Sequence, residues 1–168
     1  MSSRLVFLLI FLLCAGLLGV AFYMEHVMGL EPCPLCWLQR FGFMAAGVVS
    51  LLAALHGPGS VGTRIYSFLM VVGSGAGLAV AGRQLWLQNL PADQVPACGP
   101  SVDYMLEVLP WMEVLTTALQ GTGDCAVVTW RFLGLSIPGW SAVFFTLVFM
   151  IGLVLMFRNP RPKGWIAG

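Results

Sequence analysis

The chain has 168 residues, 59% hydrophobic and 9% charged, with a formal net charge of +1. Water-soluble globules average about 25% charged residues, so the composition excludes one. It describes an integral membrane protein of single-domain length, residues 1–168, with the lipid bilayer as its surroundings and no nucleic-acid partner.

Charge-free apolar stretches run from Leu5 to Met24, Phe41 to Leu55, Ile65 to Gly82 and Phe132 to Phe157. A helix needs about 20 apolar residues to cross the hydrocarbon core. The expected spans are therefore about 5–24, 37–55, 65–83 and 138–157. The second is long enough only if it begins near Trp37, which sets Arg40 just inside the membrane.

The first stretch has a competing outline as a secretory signal, since Arg4 precedes it and Gly19 to Ala21 is loosely small-x-small. Its apolar run exceeds the usual 7 to 15 or so residues of a signal h-region, which favours a retained span. Cys14 lies within it; Leu13 stands where a lipidation site requires a small residue. A cysteine inside a helix behaves as a small hydrophobe.

Four spans put both chain ends on one side. That side carries Arg4, Arg64, Arg158, Arg161 and Lys163 and no acid, whereas the other holds all seven acids with Arg40, Arg83 and Arg131 near its interface. Basic residues near span ends are retained in the cytoplasm, so both termini are expected to be cytoplasmic. The expected fold is an all-α four-transmembrane-helix bundle with one short external loop, about 25–36, and one long one, about 84–137.

Cys33, Cys36, Cys98 and Cys125 all fall in those external loops. An even set of cysteines exported to an oxidising compartment argues for two disulfides. In the short loop the sequence EPCPLCWLQR, residues 31–40, frames a Cys-x-x-Cys with prolines. A residue before proline avoids the helical region, and proline favours the first helical position. Cys33 is thus expected as N-cap and Pro34 as first helical residue. Both sulfurs then sit at the positive end of the helix, where a thiolate is stabilised. Arg40, four residues after Cys36, lies one turn further on the same face. It can snorkel to the interface, or hold a polar head group beside Cys36; ionisable groups at membrane depth favour the second role.

The third stretch contains Gly73, Gly75 and Gly77, a pattern for close helix packing. The long loop exceeds the usual length of unstructured connections and has no low-complexity tract, which points to function. From Pro110 an amphipathic helix is expected, with Trp111, Met112, Leu115 and Ala118 or Leu119 on one face. It can lie in the membrane interface or pack on the other loop. Four cysteines could also hold zinc, but only Cys33 and Cys36 have a ligand-like spacing. A disulfide closing the Cys98 to Cys125 segment would contribute about 3 to 4 kcal/mol by chain entropy. His26 and His56 lack ligand-like spacing, and Trp86, Trp111, Trp130 and Trp140 suit interfacial anchoring.

Taken together, PCPLCWLQR ahead of the second span, a cysteine in a long external loop, and GDCA followed by WRFLGLSIPGW into the fourth span resemble the disulfide bond formation protein B (DsbB) family. The likeness covers nearly the whole chain. It implies a bacterial inner-membrane thiol:quinone oxidoreductase that reoxidises a soluble periplasmic thiol oxidase of the DsbA type. The resemblance further implies that Cys98 and Cys125 form the disulfide attacked by that partner, with Cys98 joining it. Cys125 then exchanges with Cys33, and Cys36 faces a quinone, ubiquinone or menaquinone. Arg40 matches the family's quinone-associated arginine, and Arg83 lies near a second position linked to that site.

Two alternatives stay open. A vitamin K epoxide reductase-like enzyme shares the four-helix packing but is expected to carry its quinone-facing Cys-x-x-Cys late in the chain. A non-enzymatic binding module would hold a partner on a loop folded by disulfides.

Overall fold

The computed structural model describes residues 3–100 and 102–157. Arg158, Arg161 and Lys163, used in the charge argument, lie outside the described residues. Among those described, four helices are long and apolar enough to cross a membrane: α1 (Ser3–His26), α2 (Pro34–His56), α3 (Ser60–Gln88) and α6 (Ile137–Phe157). The expected four-helix membrane fold is therefore what the chain forms.

Between α3 and α6 lie two short helices, α4 (Val102–Val108) and α5 (Trp111–Gln120), then a 3₁₀ turn over Gly123–Ala126. A two-stranded antiparallel hairpin, β1 (Arg131–Phe132) and β2 (Leu135–Ser136), precedes α6 and departs from the all-helical expectation. Its two loop residues, Leu133 at φ 50° and Gly134 at φ 81°, both occupy the left-handed region. That is the requirement of a type I′ turn, which glycine meets without strain and leucine does not.

The third helix, Ser60–Gln88, continues beyond the span expected over about 65–83. The polar cluster Arg83-Gln84 reads as an interface in the sequence, but the helix continues because these side chains find partners inside the protein: Gln84 is 3% exposed.

α3 packs closely on α6 and α2, and α1 packs on α2. Gly77 makes the α3–α6 approach possible, since a Cβ there would stand 2.5 Å from the Phe145 ring. Phe145 in turn stacks on Phe43 of α2, with ring centroids 4.2 Å apart. Gly73 meets nothing within 4 Å, so only part of the expected glycine stripe is a packing device.

The bundle has two apolar cores. The larger, through Phe7, Phe43, Met70 and Phe145, fills the membrane portion. The smaller joins Leu35, Leu87, Cys33 and Cys125, and clamps the loops onto the helix ends. At the opposite end, Arg4 Nε donates to the Ala54 carbonyl at 2.6 Å, tying α1 to the last turn of α2. The exposed faces of α1 and α3, with Leu12, Val20, Phe68 and Val72 among them, are what a chain solvated by lipid leaves open.

Candidate functional site

The site grows from the start of α2. Cys33 is the N-cap, in extended conformation, and its sulfur accepts from the Cys36 N–H at 3.3 Å; Pro34 is the first helical residue, as the prolines predict. The cap brings the two sulfurs to 2.7 Å, within reach of the bond that oxidation would form.

Cys36 faces a cavity of about 310 Å³ whose walls come from α1, α2, the approach to α2, the hairpin and α6. Leu17, Met24, Phe43, Trp130, Phe132 and Trp140 make much of its lining apolar, and Gln39 and Arg40 bring polar groups to it. The hairpin is held over it because Trp140 Nε1 donates to the Phe132 carbonyl at 3.1 Å and Phe132 stacks on Trp130.

Arg40 is buried, 8% exposed, and forms an ion pair with Glu25 near the end of α1. It also donates to the Ala21 carbonyl at 3.2 Å. Its guanidinium carbon lies 5.1 Å from the Phe22 ring centroid and 5.3 Å from that of Trp37. This is an anchored cation, not one reaching for water, and it shares the cavity wall with Cys36.

On the far side of the sulfur pair, the 3₁₀ turn delivers Cys125, fully buried, into the small core beside Cys33. The hydrogen bond between these two thiols has opposite effects on them. The Cys33 thiol, donating, holds the Cys125 thiol down to about 6, with help from the Leu35 N–H and against the cost of burial. That same bond, the Cys36 sulfur and burial push the Cys33 thiol well above the ordinary thiol range. In the reduced protein this bond favours the proton on Cys33 and the charge on Cys125.

Cys98 is exposed. Its segment is nevertheless fastened to the 3₁₀ turn: Gly123 N–H donates to the Ala97 carbonyl at 3.0 Å, and Gly99 N–H to Asp124 Oδ2 at 3.2 Å. A Cβ on Gly123 would lie 2.5 Å from the Pro96 carbonyl, so glycine is what lets the segments touch. The Asp124 carboxylate beside Cys98 raises its thiol above the ordinary range, first by hydrogen bonding and then by charge. Asp124→Asn removes that charge and lets Cys98 ionise at lower pH. Alkylation of Cys98 in the reduced protein near pH 8 should therefore speed up several-fold, an effect that salt diminishes in the parent protein. Peptide-resolved mass spectrometry measures it, and an unchanged rate would show that Asp124 does not govern this thiol.

Thus Cys33, Cys36 and Cys125 meet at one point, Cys98 stands beside them on the surface, and Arg40 joins them through the cavity. Arg83 does not line that cavity. It sits elsewhere on α3, where it donates to the Gln120 carbonyl at 3.0 Å and covers the Trp86 ring at 4.3 Å. A cation on the last carbonyl of α5 satisfies the helix C-terminus. Arg83 therefore docks α5 to the bundle. The apolar face of α5 is left open, with Trp111 at 71% and Met112 at 56% exposure.

Sequence reasoning missed Glu25, Gln39 and Gln84. Gln39 Nε2 donates to Gln84 Oε1 at 2.7 Å, and Gln84 Nε2 lies 3.3 Å from each of the Cys33 and Cys36 sulfurs. The available signal was a glutamine in an otherwise apolar helix, three residues after Cys36 and again directly after Arg83. His26 contacts the Phe22 carbonyl and is exposed, as an interfacial histidine would be.

Among known proteins, the profile of the family described as Disulfide bond formation protein DsbB matches residues 3–155. The chain is 75% identical to Disulfide bond formation protein B of Marinobacter nauticus, over 99% of both chains. It is 55% identical to the protein of that name in Hahella chejuensis, over 96% of this chain and 98% of that one. Identity to Disulfide bond formation protein B 1 of Pseudomonas aeruginosa is 48%, over 94% of this chain and 97% of that one.

Proposed function

The chain belongs to the disulfide bond formation protein DsbB family, and from that premise we propose that it is a thiol:quinone oxidoreductase of the bacterial inner membrane. In this reading it forms one integral membrane domain with both termini cytoplasmic, and its four reactive cysteines face the periplasm. Its soluble substrate is a thioredoxin-like thiol oxidase of the DsbA type. The observation that carries the reading is the position of the Cys33–Cys36 pair, with Cys36 on an apolar cavity beside Arg40 and Cys33 against Cys125.

A cavity of about 310 Å³ is at the small end of ligand pockets, which run from about 300 to 1,000 Å³. Its apolar walls with Arg40 and Gln39 suit a ring bearing carbonyl oxygens, ubiquinone or menaquinone alike, whose tail stays in lipid. The quinone supplies the acceptor for two electrons and two protons. Arg40 would hold its polar edge, and Cys36 would present sulfur to it.

The chain's own residues set the order of exchange. A partner thiolate meets Cys98 because it is exposed, and attack on a Cys98–Cys125 disulfide releases Cys125, whose thiolate the Leu35 N–H stabilises, whereas Asp124 disfavours charge on Cys98. Lower-pKa thiols leave faster. Released at Cys33, Cys125 attacks the Cys33–Cys36 disulfide: a Cys125–Cys33 bond forms, the Cys33–Cys36 bond breaks, and Cys36 keeps the electron pair. The partner's second thiolate then displaces Cys98, completing the partner's disulfide. Cys98 then attacks Cys125 in the Cys33–Cys125 bond, which restores Cys98–Cys125 and releases Cys33. The Cys33 and Cys36 thiols would give two electrons and two protons to the quinone and close their own disulfide, so that two partner thiols are oxidised per turnover.

The experiment is covalent trapping. A reduced partner lacking its second active-site cysteine, mixed with the oxidised protein, should remain joined to Cys98. Peptide mapping that finds Cys33 or Cys125 joined instead overturns this order, and no adduct at all removes the partner.

A further inference from the structure

The buried amide of Gln84 touches both sulfurs of the pair, and nothing in the exchange scheme above gives it a task. Its Nε2 stands 3.3 Å from the Cys33 sulfur and 3.3 Å from the Cys36 sulfur, while Oε1 accepts from Gln39 at 2.7 Å and lies 3.7 Å from the Cys36 sulfur. Gln39 is itself 4% exposed and lines the cavity that Cys36 faces. A glutamine in the apolar part of a helix costs free energy unless its amide is satisfied. Here it is satisfied by the reacting sulfurs and by a second glutamine.

We propose that Gln84 is a further catalytic residue, whose amide N–H groups donate to whichever sulfur of the Cys33–Cys36 pair bears negative charge, and that Gln39 is the positioning residue that keeps those N–H groups turned to the sulfurs. Gln39 does this by holding Oε1 in a 2.7 Å hydrogen bond, shorter than the 3.7 Å from Oε1 to the Cys36 sulfur, so the donating end of the Gln84 amide is the one that lies closer to the sulfurs. The proposal deepens the exchange scheme and rests on it for the moment of need: once Cys125 takes Cys33, Cys36 carries charge at the rim of an apolar cavity. A neutral, preplaced donor stabilises that charge without adding one of its own.

Other groups around the pair do not duplicate this. Cys125 and Cys33 compete for one proton on the loop side. Glu31 lines both the cavity and the small opening outside the pair, and Asp124 lines that opening; both would oppose a thiolate. Arg40, one turn inward, is paired with Glu25.

The test is peptide-resolved alkylation of Cys36 in the reduced, quinone-free protein across pH, for the parent chain, Gln84→Leu, Gln84→Glu and Gln39→Leu. Hydrogen bonds to charged groups are worth enough that Gln84→Leu should alkylate Cys36 about tenfold more slowly at pH 7, with the profile moved to higher pH. Gln84→Glu, the same size but an acceptor, should move it at least as far, and Gln39→Leu less far in the same direction. An unmoved profile in both folded Gln84 variants overturns the proposal; if only one of them folds, its profile decides. An unmoved Gln39→Leu profile removes Gln39 from the scheme. This measurement needs no quinone, so it stands apart from the failure of the exchange scheme, which would show as a parent protein that does not reoxidise when quinone is added.

Discussion

Cys36→Ala is expected to abolish quinone-dependent turnover, by at least about three orders of magnitude, the scale on which loss of an essential reacting group falls. Cys36 lines the cavity and Cys33 does not. Cys33 is 8% exposed and packs in the small core with Cys125. In the variant the Cys98–Cys125 disulfide is still open to attack at the exposed Cys98, so single-turnover exchange with the partner survives. The fold should hold, because alanine favours helix and Cys36 contributes little beyond its contacts with Cys33 and Gln84. Steady-state quinone reduction measured beside single-turnover thiol exchange separates the two steps. Retained quinone turnover would mean that Cys33 can serve as the sulfur at the ring.

Arg40→Ala has the second large effect, and it has two parts. Loss of a charged donor to the head group should raise the quinone KM by about 10- to 100-fold, the range for a hydrogen bond from a charged group. It also leaves Glu25 without its partner. Breaking a buried pair costs about 3 to 5 kcal/mol; with the Glu25 side chain 21% exposed, the lower end applies. Arg40→Ala should therefore melt below Glu25→Gln/Arg40→Ala, while both show the same rise in KM. Initial rates across quinone concentration and thermal unfolding in the same detergent give the two readings. A normal KM in both variants would remove Arg40 from the site and leave it a structural anchor.

The helices were legible because a lipid-facing chain has little freedom in composition: apolar runs of the right length are visible without any tertiary knowledge. Cys33 as N-cap was legible from two prolines. What escaped depends on contacts between elements. The Glu25 to Arg40 pair joins α1 to α2, and nothing local marks Glu25 as different from Glu31. Gln84 escaped because polar residues just past an apolar run read as interface in a membrane chain, whereas this one is buried against the sulfur pair. The hairpin was missed since its turn uses Leu133 where asparagine or glycine is usual, and only Gly134 gave a hint. For Arg83, the family resemblance set it near a position linked to the quinone site, while in the structure its guanidinium donates to the Gln120 carbonyl at the end of α5.

In the proposed reaction, electrons leave the chain from the Cys33–Cys36 pair to a membrane quinone. Purified protein, fully reduced and freed of reductant, is given ubiquinone or menaquinone in excess, and the free thiols of Cys33 and Cys36 are counted over time by mass spectrometry. The pair is predicted to become a disulfide far faster with quinone than without it. Equal rates with and without quinone would show that the pair does not pass its electrons to quinone.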